Sequence, residues 1–141
     1  MKHHITDILI ALSLIILSML MIVKYSDSAE IKEDIAIRCI VGESANQGYK
    51  GMLAVANVLR NRGGTAGVYG CKSKLYKTEP KWVLKLAKKA WLESRTNDIT
   101  HGATHFENIK AFGVPYWAED MVVTFKHKDH VFYKEQYYME D

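Results

Sequence analysis

Apolar and polar positions change their pattern several times along the chain, and each change predicts a different kind of element. The first pattern is an unbroken apolar run, ILIALSLIILSMLMIV from Ile8 to Val23, preceded by Met1-Lys2-His3-His4 and followed by Lys24 and a polar stretch. A helix that is apolar all round needs apolar surroundings on every side, and the run approaches the length of a bilayer span. Residues 1–29 are therefore expected to be an export device. The run is either the core of a signal peptide, with small residues at Ser26-Asp27-Ser28, or an uncleaved N-terminal apolar helix that holds the chain to a membrane through residues 8–23.

The pattern turns amphipathic beyond it. In EIKEDIAIRCIVGE, Ile31, Ile35, Cys39 and Ile40 recur at helical spacing while Lys32, Glu33 and Arg38 fall on other faces, which predicts a first helix ending near Gly42. Continued by three or four residues, the apolar stripe arrives at Glu43. A second helix is predicted from about Gln47 or Gly48 to Asn61; only Asn57 is polar between Met52 and Leu59, so this helix is expected to be central and the most buried. The glycines of RGGTAGVYGC break it and open a loop that lasts to Pro80. A third helix, Lys81 to about Arg95, carries Trp82, Leu86 and Ala90 on one stripe with Val83, Ala87 and Trp91 beside it. Its lysines 81, 85, 88 and 89 read as a solvated face.

After Asp98 the segments GATHFEN, MVVTFKH and HVFYKEQY are short, β-branched and aromatic, and the last two flank Lys128-Asp129. They predict strands, the last two as a hairpin. About three helices followed by a small antiparallel sheet make an α+β domain over residues 30–141. With 141 residues and no internal repeat, one such domain is expected.

The net charge of +3 is unchanged by removing residues 1–29, because Lys2 and Lys24 balance Asp7 and Asp27. A mildly basic domain suits an anionic cell envelope and gives no reason to expect nucleic acid. Cys39 and Cys71 are an even pair, which outside the cytoplasm forms either a disulfide or two separate thiols, Cys39 then packing as a small apolar residue. Oligomeric state is not legible in these features.

The chemical candidate is Glu43. Poor solvation at the end of an apolar stripe disfavours the charged carboxylate, so the group stays protonated near neutral pH and can give a proton to a leaving oxygen. The plain alternative is a solvated glutamate at a helix end.

The run IAIRCIVGESANQGYKGMLAVANVLRNR, followed in order by GATHFEN, PYWAEDM and HVFY, resembles the catalytic domain of the SleB-type cell-wall hydrolases, the spore cortex-lytic enzyme family. The resemblance covers nearly everything from Ile35 to Tyr133. It implies a lysozyme-like fold and cleavage of peptidoglycan between N-acetylmuramic acid and N-acetylglucosamine by a lytic transglycosylase or muramidase-type reaction, without a cofactor. By position the essential glutamate is Glu43, and Glu43-Ser44 resembles the Glu-Ser pair of other lytic transglycosylases, in which the serine orients the acid. Thr104, His105, His130 and Tyr133 match family positions expected to line the sugar cleft. Trp117 either stacks on a sugar or caps the core, whereas Phe106 and Phe132 are expected in the core. A transglycosylase needs no second carboxylate, since the C6 hydroxyl of the muramic sugar is the nucleophile and the product is a 1,6-anhydro end. A hydrolytic enzyme needs a partner acid, for which Asp98, Glu107, Glu119 and Asp120 are available.

The chain also departs from the family. Many members carry a second glutamate where Gln47 stands, the loop after Arg62 is short, and a QFS-like element is missing after Cys71. Two other functions compete. His101, His105, His127 and His130, with Asp129, offer ligands for the zinc of a cell-wall peptidase or amidase, and a membrane-tethered, non-catalytic peptidoglycan-binding protein would explain the departures. Each of these readings places the domain outside the cytoplasmic membrane.

Overall fold

The computed structural model describes residues 30–136, and Ser13 besides. The chain divides into two units, Met1–Glu30 and Ile31–Asp141, and the second holds every helix and strand named below. The expected N-terminal apolar helix lies outside the described residues. Among those described, no helix is long and apolar enough to cross a membrane.

Helix α1, Glu33–Ser44, starts with Glu33 and Asp34 in its first turn, where carboxylates meet the positive end of the helix dipole. Its buried residues are Ala36, Cys39, Ile40, Val41 and Ser44, so the core-facing stripe is rotated from the expected one. Ile35 is 37% exposed. Glu43 therefore stands at the flank of the stripe and is half-buried, between the fully buried Val41 and Ser44.

A one-turn 3-10 segment, Ala45–Gln47, leads into α2, Gly48–Arg62. As expected, α2 is the central helix, buried without interruption from Gly51 to Leu59. The buried Asn57 is satisfied: its amide donates to the Asn97 carbonyl at 2.8 Å and its side-chain oxygen accepts from the Ile99 N–H. Gly63, in the left-handed region at φ 65°, ends the helix. The following loop holds structure that the glycines conceal, a 3-10 turn over Tyr69–Lys72 and the short helix α3, Leu75–Thr78.

Helix α4, Lys81–Glu93, begins directly after Pro80 and buries Val83, Ala87, Ala90 and Trp91. Trp82 is 61% exposed, which corrects the expected stripe: the narrow buried face is made mostly of small residues, leaving no depth for a second indole. Arg60 of α2 lies over the Trp91 ring at 3.6 Å and donates to the Trp91 carbonyl and the Ser94 hydroxyl.

Strands β1 (His105–Asn108), β2 (Met121–His127) and β3 (His130–Glu135) form an antiparallel sheet in the order β1-β3-β2. β2 and β3 make the expected hairpin around Lys128-Asp129, with Lys128 at φ 50°. Between β1 and β2 lie a short helix α5, Ile109–Phe112, and a 3-10 turn, Tyr116–Ala118. Alternation along β3 splits its side chains between two faces. Phe132 packs into the helical core with Phe106 and Phe125, whereas Val131 and Tyr133 join a separate cluster with Ala118 and Trp117.

Cys39 and Cys71 form a disulfide across 32 residues. It ties the core face of α1 to the 3-10 turn after α2 and so fixes the loop that faces Glu43.

Candidate active site

Glycines set the distance between α1 and the loop. A Cβ on Gly42 would lie 2.0 Å from the Gly70 carbonyl oxygen, and one on Gly70 would lie 2.6 Å from Cγ of Glu43. Real Cβ atoms do not approach so closely, so only glycine permits the contact. The result is a backbone hydrogen bond to the acid, with the Gly70 N–H donating to Oε1 of Glu43 at 2.5 Å.

That bond acts against a larger effect. Burial pushes the Glu43 carboxyl above its ordinary range, the Gly70 N–H draws it back down, and the negative charge of Glu107 raises it again. Because Oε1 is engaged by a donor, the acid proton belongs on Oε2.

Glu43 lines two cavities, of about 460 and 480 Å³. The cross-strand register places their sheet walls. Asn108 is paired with His130, on the face shared with Phe132, and both line the first cavity with Val41 and Asn46. His105 is paired with Tyr133 and Glu107 with Val131; His105, Glu107 and Trp117 line the second. On the edge strand β1, Asn108 reaches the first cavity, while His105 and Glu107 of the other face reach the second, to which Phe106 also contributes. Trp117 packs against His105 and Tyr133 at ring-centroid distances of 5.3 and 5.4 Å.

The sequence candidates divide accordingly. Glu43, His105, Trp117 and His130 reach the cavities. His130 is buried, and desolvation lowers its pKa, with His127 acting in the same sense and Asp129 in the opposite one. Ser44 is fully buried and its hydroxyl donates to the Ile40 carbonyl at 2.7 Å, which occupies it within α1, away from the acid. Thr104 is held between the His105 ring, 2.9 Å from its hydroxyl, and the Tyr133 carbonyl, which its N–H reaches. Tyr133 is 4% exposed and supports Trp117 from behind.

Among the possible partner acids, the structure brings Glu107 to Glu43. Asp98 is engaged elsewhere: burial would raise its pKa, but hydrogen bonds from Thr100, Gly102 and Asn61 hold it below the ordinary range, and they shape the turn before β1. Glu119 and Asp120 are exposed and line neither cavity. Gln47 is 2% exposed, with its amide donating to Asn46, so the position of the family's second glutamate points into the protein. His127 and His130 are cross-strand partners at the hairpin, whereas His101 and His105 lie elsewhere. His127 bonds the Gln47 carbonyl at 2.9 Å and His101 is exposed, and among the described residues no three His, Cys, Asp or Glu side chains form a group that could hold a metal ion.

Sequence reasoning missed Gly70 as the donor to the acid, and with it Arg62, Tyr69 and Tyr116 in the second cavity. A signal existed for the first: the glycine before Cys71 in GVYGC becomes meaningful once that cysteine is bridged beside Glu43.

No family model matches the chain, and no curated protein does. Solved structures do. The chain is similar to the catalytic domain of the germination-specific lytic transglycosylase SleB from Bacillus anthracis, at 25% identity and a TM-score of 0.56, covering 75% of this chain and 98% of that one. It is also similar to the catalytic domain of the Bacillus cereus SleB protein, at 24% identity and a TM-score of 0.53, covering 75% and 93% of the two chains. The chain thus contains a SleB-like catalytic domain, built of helices and a small antiparallel sheet with Glu43 at the groove between them.

Proposed function

We propose that the chain is a peptidoglycan lytic transglycosylase that cleaves glycan strands between N-acetylmuramic acid and N-acetylglucosamine, with Glu43 as acid and then base. The observation that carries this reading is the environment of Glu43: a half-buried carboxyl in a groove, with one oxygen held by the Gly70 N–H and a pKa raised by burial. The similarity to a protein described as a lytic transglycosylase supports it. Protonated at Oε2, Glu43 gives its proton to the glycosidic oxygen as the bond to C1 of the muramic sugar breaks. The resulting carboxylate takes the proton of the C6 hydroxyl as that oxygen bonds to C1. The products are a free 4-hydroxyl on N-acetylglucosamine and a 1,6-anhydro-muramic end.

One observation favours a second reading. Glu107 lies in the same cavity and acts electrostatically on Glu43, as a hydrolytic partner carboxylate would. Digestion of purified peptidoglycan followed by mass spectrometry of the sugar ends separates the two. Anhydro ends lack the mass of one water and support transglycosylation; reducing ends alone overturn it and leave Glu107 as the candidate partner acid.

We further propose that residues 1–29 carry the domain outside the cytoplasmic membrane, on the strength of the apolar run from Ile8 to Val23. A reporter fused after Asp141 that is active only in the cytoplasm would contradict this.

A further inference from the structure

Among the described residues lining the two cavities, Arg62 is the one lysine or arginine, and it lines the second cavity together with the carboxylates Glu43 and Glu107. It ends α2, and one N–H of its guanidinium, at Nη2, donates to the Ala66 carbonyl. This pins the group while leaving most of its five donors unused. It makes no ion pair with a carboxylate among the described residues. Its charge is nonetheless felt inside the cavity, where it adds to the burial that lowers the pKa of His105. Tyr69 and Tyr116 line the same cavity from different loops, and they are 81% and 87% exposed. Exposed aromatic rings beside a polar groove offer a ligand an apolar face and a polar tip.

We propose that Arg62 selects substrate by charge, taking a carboxylate on the glycan strand while Tyr69 and Tyr116 contact the sugars that carry it. This rests on the glycan-cleaving reading above. Muramic sugars carry a lactyl side chain that ends in a carboxyl group, either free or extended into a stem peptide with carboxylates of its own. A pinned guanidinium presents paired donors that match this group. Neutral strands lack the contact and leave a cation facing the groove without a partner. Arg62 also holds the loop after α2 through Ala66, and a merely structural role would affect all strands alike.

The test measures binding by the full-length Glu43→Gln chain in detergent, so that affinity is read without turnover. Three strands are compared: with stem peptides, stripped of stems to the free lactyl carboxylate, and stripped with that carboxylate converted to a neutral amide. The neutral strand is expected to bind about tenfold or more weakly than the tighter of the other two. Adding Arg62→Gln should bring the charged strands down to the neutral one and leave the neutral one unchanged, while Arg62→Lys restores part of the difference. Tighter binding of the stripped strand identifies the lactyl group as the source, tighter binding of the stem-bearing strand identifies the peptide, and either supports the proposal. Equal weakening of all three strands by Arg62→Gln, or no dependence on strand charge, overturns it. Binding of no strand overturns the glycan reading itself, and this proposal with it.

Discussion

The two walls of the groove are built on different principles. The wall that bears the acid is the end of α1 locked to a loop by a disulfide, by paired glycines and by a backbone hydrogen bond. The opposite wall is an edge strand paired with β3 and an aromatic stack, His105, Trp117 and Tyr133, joined through side-chain packing. Chemistry requires a proton donor placed to a fraction of an ångström, and the first wall supplies that rigidity. On the proposed reading the second wall serves sugar recognition, which requires area and tolerates adjustment.

The largest test of this contrast is Glu43→Gln. It keeps the side-chain shape and removes the titratable proton, so cleavage of peptidoglycan should fall by a factor on the order of a hundred or more while thermal unfolding is nearly unchanged. Full activity in this variant would remove the acid from its wall altogether.

Replacing Cys39 and Cys71 together by serine should cost about 2 to 5 kcal/mol in denaturant unfolding, because the bridge closes a substantial loop of the unfolded chain. If the bridge also positions Gly70, the folded variant should lose activity as well; an unchanged specific activity would confine it to stability.

Gly70→Ala strikes the same wall without cutting the bridge. Its Cβ would meet Glu43 at 2.6 Å, so either the loop or the acid must move. We expect about 1 to 3 kcal/mol of destabilisation and about tenfold or more loss of kcat from a misplaced acid.

A smaller change, of the opposite kind, is expected from Trp117→Ala. It should raise KM about tenfold with kcat little altered, since on the proposed reading the indole contacts the sugar and not the proton. An equal fall in kcat would break the division of labour between the walls.

The smallest effect is in the pH profile. Glu43 must be protonated to donate, so activity falls as pH rises through its raised pKa. Removing the negative charge with Glu107→Gln lowers that pKa and moves the falling limb to lower pH. The stability linkage has the matching sign. A carboxyl that binds its proton more tightly folded than unfolded adds stability below its unfolded pKa, and that contribution is lost as pH rises through the folded value. A limb that moves upward in Glu107→Gln would show that Glu107 does not face the acid.

The sequence by itself marked the main elements and named the chemical candidate. The spacing of apolar residues marks α1, α2 and α4 and the β2-β3 hairpin, because helix and strand periods are written in local order. The motif order points to the SleB-type fold and, within it, to Glu43. Burial around that glutamate needed the fold: Ile35 and Trp82 fit an apolar stripe yet face solvent, since periodicity cannot say how deep a neighbouring element will be. Ser44 follows the acid in the chain but turns back to Ile40, because adjacent helix positions point in different directions. Only the tertiary structure chose Glu107 over Asp98, Glu119 and Asp120, and only it brought Gly70 to the acid across 27 residues. Such contacts depend on how separate elements pack against one another, and no local pattern of residues encodes that distance.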